Sequence, residues 1–168
     1  VVESIVAAVE EVFSTMLDMH VERGEDYVAT AVPPAEEGVV SLIGLAGRWA
    51  GTGSISCGAA FACRICSRML ITEYPAVNEE VLDVMAEVTN MVLGNVKTRL
   101  EEILGPMGLS IPTVVYGLNF TTWTAKTDEW IVVPFCFEDN RLDVKLCLTP
   151  AKVSPVKRSF AVPSLTKA

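Results

Sequence analysis

One helical period runs unbroken from Glu79 to Leu104, and it constrains the fold more than any other feature of the chain. At about 100° per residue, Val81, Leu82, Met85, Val88, Val92, Val96, Leu100 and Ile103 fall within about 60° of one line. That stripe is expected to be buried against another layer. Asn78 is placed to cap the first turn, Glu80 supplies an acid there, and Gly105-Pro106 supplies a stop. The opposite side carries Asp83, Glu87, Asn90, Gly94, Lys97 and Glu101. Glu87 and Asn90 are three apart, so they project from one patch about a turn long. Gly94 follows on the same side and leaves bare backbone that another protein could approach closely.

The rest of the chain supplies the other layer. Residues 2–19 read as an amphipathic helix with Ile5, Val9, Val12, Phe13 and Met16 at helical spacing. Residues 26–33 and 38–46 alternate like paired strands joined by a turn at 33–38. Gly47 to Gly53 read as a further turn into a strand at 49–57, and 59–70 as a buried helix. Three more strands are expected at 109–117, 129–138 and 141–148, the last two joined by Glu138-Asp139-Asn140. Hairpins without βαβ alternation predict an α+β fold. The expectation is a six-stranded, mainly antiparallel sheet with helices 2–19 and 79–104 on one face. A weak internal repeat, laying Glu11–Met16 beside Glu87–Val92, suggests a pseudo-twofold. Residues 1–148 are expected to form the domain. Residues 149–168 read as a basic tail with Lys152, Lys157, Arg158 and Lys167, no acid, and three prolines.

Composition excludes several classes of function. With 168 residues, 51% of them hydrophobic, the chain suits one domain with a real core. A net charge of −8 argues against nucleic acid and anionic membrane as partners. No apolar run reaches the roughly 20 residues of a transmembrane helix. Val1-Val2-Glu3-Ser4 has no basic n-region, so no secretory leader is expected and the cytoplasm is the expected compartment. The five cysteines, Cys57, Cys63, Cys66, Cys136 and Cys147, sit in apolar surroundings and are expected to be buried packing groups. Cys63-Arg64-Ile65-Cys66 has CxxC spacing, but the single histidine, His20, is far away in sequence, and no zinc set is expected. Gly47–Ser54 is glycine-rich yet lacks the P-loop lysine. Trp49, Trp123 and Trp130 lie in strand regions without a basic cluster interleaved, which disfavours a stacking platform for single strands.

Two ordered blocks carry more specific information: Glu87-Val88-Thr89-Asn90-Met91-Val92-Leu93-Gly94-Asn95 with Asp83 upstream, and Leu109-Ser110-Ile111-Pro112-Thr113-Val114-Val115-Tyr116-Gly117. Together with Val12–Met16 and Ile43–Gly47, they make residues 1–148 resemble the CheX-type chemotaxis phosphatases, relatives of CheC and of flagellar switch proteins. The resemblance implies that the substrate is a phosphorylated CheY-type response regulator, whose aspartyl phosphate and Mg²⁺ belong to the substrate. No cofactor of the chain's own is implied. In that family the motif Glu pairs with the regulator's active-site lysine and the Asn amide orients the attacking water, which carried over are Glu87 and Asn90. Asp83, Glu87, Gly94 and Lys97 are the expected partner-binding residues.

Such chemistry is physically economical. An acyl phosphate is already reactive and its metal neutralises charge, so a positioned water is the missing ingredient. An amide can donate to phosphate and accept from water at once, which a carboxylate cannot. On the first helix the equivalent place holds Glu11 and Ser14, whose hydroxyl is too short to replace the amide. A one-site enzyme is therefore expected, and a homodimer as in the family. The rival reading is a non-catalytic scaffold or flagellar-switch-related module that docks a regulator on the same helix.

Overall fold

The structure, a computed structural model, describes residues 1–30, 35–120 and 129–151. Among these residues three helices, α1 (Val2–Met16), α2 (Ala59–Leu70) and α3 (Glu79–Leu104), lie with one sheet. Its strands are β1 (Glu22–Arg23), β2 (Tyr27–Ala29), β3 (Ala35–Gly47), β4 (Trp49–Cys57), β5 (Met107–Leu109), β6 (Thr113–Phe120), β7 (Trp130–Phe137) and β8 (Asn140–Pro150). Every strand pairing is antiparallel. The eight strands fill six lanes: β1 and β2 share one edge against β7, then come β8, β4 and β3, and β5 and β6 share the other edge. The α+β architecture expected from the sequence is therefore present, with two short strands added.

Alternation along the central strands decides where the core sits. Val39 and Ile43 of β3, Ile55 of β4, Val133 and Phe135 of β7, and Leu142 and Val144 of β8 face the helices. They pack with Ile5, Val9 and Phe13 of α1, Phe61 and Ile65 of α2, and Met85, Val88 and Val92 of α3. A smaller cluster of Trp130, Val132 and Cys147 lies on the sheet's other face. α1 and α3 also pack on each other.

Several expectations are corrected here. Of the strand expected at 26–33, the described residues do not pair with 38–46: β2 pairs with β7, Tyr27 opposite Val132. The reason is topological, since β3 is flanked by β4 on one side and by β5 and β6 on the other. Of the turn expected at 33–38, residues 35–38 belong instead to β3, and residues 31–34 lie outside the described residues. The strand expected at 109–117 is two strands, broken at Ser110–Pro112. There Ser110 accepts from the Gly44 N–H through Oγ (2.8 Å) and donates its own N–H to the Gly44 carbonyl (2.9 Å). Gly51 and Gly53 are strand residues of β4 rather than turn residues. A Cβ at Gly53 would stand 2.6 Å from Leu93 Cδ1, so this glycine lets α3 settle directly onto the sheet.

Further corrections concern burial and the end of the last strand. Ile103 is 81% exposed although the wheel placed it on the buried stripe. The buried line follows i+4 steps through Val88, Val92, Val96 and Leu100, so it winds around the helix and reaches Leu104 instead. Met16 is half-exposed at the end of α1, and Leu17 and Met19 continue the burial after the helix stops. Cys136 is exposed near the sheet edge, while the other four cysteines are buried. β8 reaches Pro150, opposite Trp49, so the ladder extends past 148; of the expected tail, residues 152–168 lie outside the described residues.

Candidate functional site

α3 is held at both ends by the groups its sequence supplies. Asn78 Oδ1 accepts the Val81 N–H at 3.0 Å. Gly105, at φ +82°, turns the chain out of the helix while donating its N–H to the Glu101 carbonyl at 3.0 Å. Val81, Met85, Val88, Val92 and Val96 are buried beneath it. With the apolar side pinned, Asp83, Glu87 and Asn90 are presented on the outer side and all three are exposed. None of them has a hydrogen bond or ion pair among the described residues. Thr89, between them, turns inward and donates its hydroxyl to the Met85 carbonyl at 2.7 Å.

Further along, Gly94 is half-buried, and a Cβ there would meet only Leu109 Cδ1 at 3.9 Å. Nothing among the described residues requires that glycine. Lys97 is differently engaged: its ammonium bonds Glu101 Oε2 at 3.1 Å. Glu101 Oε1 accepts the Met107 N–H at 2.8 Å, and that hydrogen bond and Lys97 together hold the Glu101 carboxyl below the usual carboxylate range. Lys97 thus helps to fasten the junction of α3 with β5.

Sequence reasoning missed the ground beside the motif. The end of α2 closes one wall of a shallow groove of about 330 Å³ lined by Met69, Leu70, Glu80, Asp83, Val84 and Glu87. Its floor is apolar and its rim acidic. Glu80 accepts a hydrogen bond from Tyr74, and that bond, with some burial, pushes the phenol up to about 12. The signal available in sequence was the apolar run Met69-Leu70-Ile71 just before the break.

The counterpart on α1 is closed. Ser14 donates its hydroxyl back to the Glu10 carbonyl at 2.6 Å. Glu11 is occupied by Arg99 of α3 at 3.1 Å. The CxxC cysteines lie on the inner side of α2, where burial raises the thiols of Cys63 and Cys66, and burial likewise pushes Cys57, at the end of β4, up to about 12. Buried thiols raised in this way are poor nucleophiles and serve as small packing groups. No group of three or more potential metal ligands occurs among the described residues. No helix among them is long and apolar enough to cross a membrane.

The exposed Glu87–Asn90 pair, on a pinned helix over an antiparallel sheet, lies within a matched family region. A family model described as Chemotaxis phosphatase CheX matches residues 39–136, more than half of the chain. The chain belongs to the CheX family. Among solved structures, this CheX-family chain is similar to the CheX of Vibrio vulnificus, at 28% identity and a TM-score of 0.79 over 88% of this chain and 98% of that one. The CheX of Desulfovibrio desulfuricans matches at 25% identity and 0.78, covering 88% and 97%. The CheX of Borrelia burgdorferi, solved as a complex with CheY, BeF3 and Mg²⁺, matches at 25% identity and 0.75, covering 87% and 96%. The FliM middle domain of H. pylori, at 12% identity and 0.64 over 85% and 84%, shares the fold. No curated protein matches the sequence.

Proposed function

We propose that this CheX-family protein is a phosphatase that hydrolyses the aspartyl phosphate of a CheY-type response regulator. The observation that carries the reading is the Glu87–Asn90 pair, exposed and unengaged among the described residues on a helix pinned to the core through Val81, Met85, Val88, Val92 and Val96. Asn90 orients the attacking water through its amide, and Glu87 pairs with the lysine of the regulator's phosphorylation site. Mg²⁺ enters with the regulator and supports the developing charge on the phosphoryl group. Asp83 and Gly94 border the contact, Asp83 adding negative charge and Gly94 allowing close approach, and Lys97 stands at its far end. The existence of a Borrelia CheX bound to CheY supports the choice of partner. The engaged state of Ser14 and Glu11 supports one active face rather than two.

The test is to mix the protein with phosphorylated receiver domains from its own organism and follow phosphate release. Accelerated loss from at least one receiver is expected. Tight binding to a phosphorylated receiver without any acceleration would favour the scaffold reading, in which the same helix only docks.

A further inference from the structure

The C-terminus of α2 holds a residue that its backbone position disfavours. Ile71 caps the helix in the left-handed region, at φ 54° and ψ 40°, and its N–H donates to the Ser67 carbonyl. Glycine is the residue that ordinarily occupies such a cap, and a β-branched side chain is among the least suited to it. That side chain is not repaid by packing: Ile71 is 91% exposed, and Leu70 beside it is 44% exposed. A strained apolar side chain held in water is of no use to the fold. It adjoins the groove in which Leu70 and Met69 face Asp83, Val84 and Glu87.

We propose that Leu70 and Ile71 form an apolar knob that, with this acidic groove, makes the second half of the docking surface for the receiver domain of the response regulator. The inference rests on the phosphatase reading and extends it to a residue that sets partner affinity. Glu87 belongs to both halves, as motif residue and as groove wall, so the two surfaces are continuous. The groove's chemistry selects its occupant. An apolar floor of Met69, Leu70 and Val84 takes the stem of a long cationic side chain, while Asp83 and Glu87, unpaired among the described residues, receive its charge. A receiver that brings its phosphorylation-site lysine to Glu87 places the neighbouring surface against the knob.

Ile71→Gly separates affinity from stability, because glycine relieves the strained cap while deleting the knob. The probe is the receiver that the wild-type chain binds most tightly, trapped with beryllium fluoride and Mg²⁺. Expected are an unchanged or raised melting temperature, a Kd weakened about tenfold, and single-turnover dephosphorylation at saturating receiver close to wild type. Unchanged Kd overturns the proposal, as does a lowered melting temperature, which would mean that the side chain serves the fold. Asn90→Ala in the same assays keeps the two readings apart. If Asn90→Ala loses turnover while Ile71→Gly binds like wild type, the phosphatase reading stands and the knob falls. If Asn90→Ala keeps turnover while Ile71→Gly binds poorly, the docking surface stands and the catalytic reading falls. A wild-type chain that binds no receiver overturns both.

Discussion

Glu87 and Asn90 are adjacent on one helical turn, yet they are expected to fail in different ways. An ion pair to the regulator's lysine contributes to docking and to the placement of α3, so Glu87→Ala should weaken receiver binding and slow turnover together. The Asn90 amide acts mainly on the water in the transition state, so its loss should leave affinity nearly intact. Ser14→Ala should change neither, because that hydroxyl is already spent on the Glu10 carbonyl. Titrating the variants with a trapped receiver, beside single-turnover phosphate loss, separates these outcomes. The exposed placement of Glu87 and Asn90 was legible in sequence because helical spacing puts them on one patch opposite the buried stripe, whereas their roles come from the resemblance of the motif and not from spacing. Ile71 was not legible: a positive φ belongs to the folded chain, and nothing in Met69-Leu70-Ile71 announces which residue will hold the cap.

At the scale of elements, α3 was readable to its ends because its signals are local. Asn78 caps it and Gly105 stops it where the sequence placed them. Strand partners were less legible, since pairing depends on which edges remain free after the centre of the sheet has assembled. Thus β2 found β7 across the sheet, and Gly53 proved to be a seat for Leu93 rather than a turn. Gly94 supplies the prediction at this scale. With only Leu109 Cδ1 near its absent Cβ, Gly94→Ala should raise stability by about 0.5–1 kcal/mol through helix propensity. If a partner's backbone comes close at this point, the same change should weaken receiver binding. Thermal or denaturant unfolding beside a binding titration checks both parts.

The whole molecule has two properties worth measuring before the catalytic one. Its exposed edge lanes, carrying Tyr27 and Val28 on one side and Tyr116 and Leu118 on the other, invite pairing. A homodimer joined through sheet strands is expected. Sedimentation at tens of micromolar (roughly, for a Kd near 1 μM) should show it, and monomer alone would count against it. Acid stability should follow Glu101, whose carboxyl is held down by the Met107 N–H and Lys97. A carboxylate with a depressed folded pKa binds fewer protons than in the unfolded chain. Its contribution is therefore full above the unfolded value near 4.5 and is lost as pH falls below it. Glu101→Gln should flatten its share of the acid unfolding curve, the rest remaining with Asp26 and Glu138, each held low by an arginine. The most direct test of the central claim is single-turnover phosphate loss from a phosphorylated receiver with the Asn90→Ala chain at saturating concentration. A rate reduced on the order of 10²-fold, with binding nearly unchanged, is the predicted result, and wild-type turnover would contradict it.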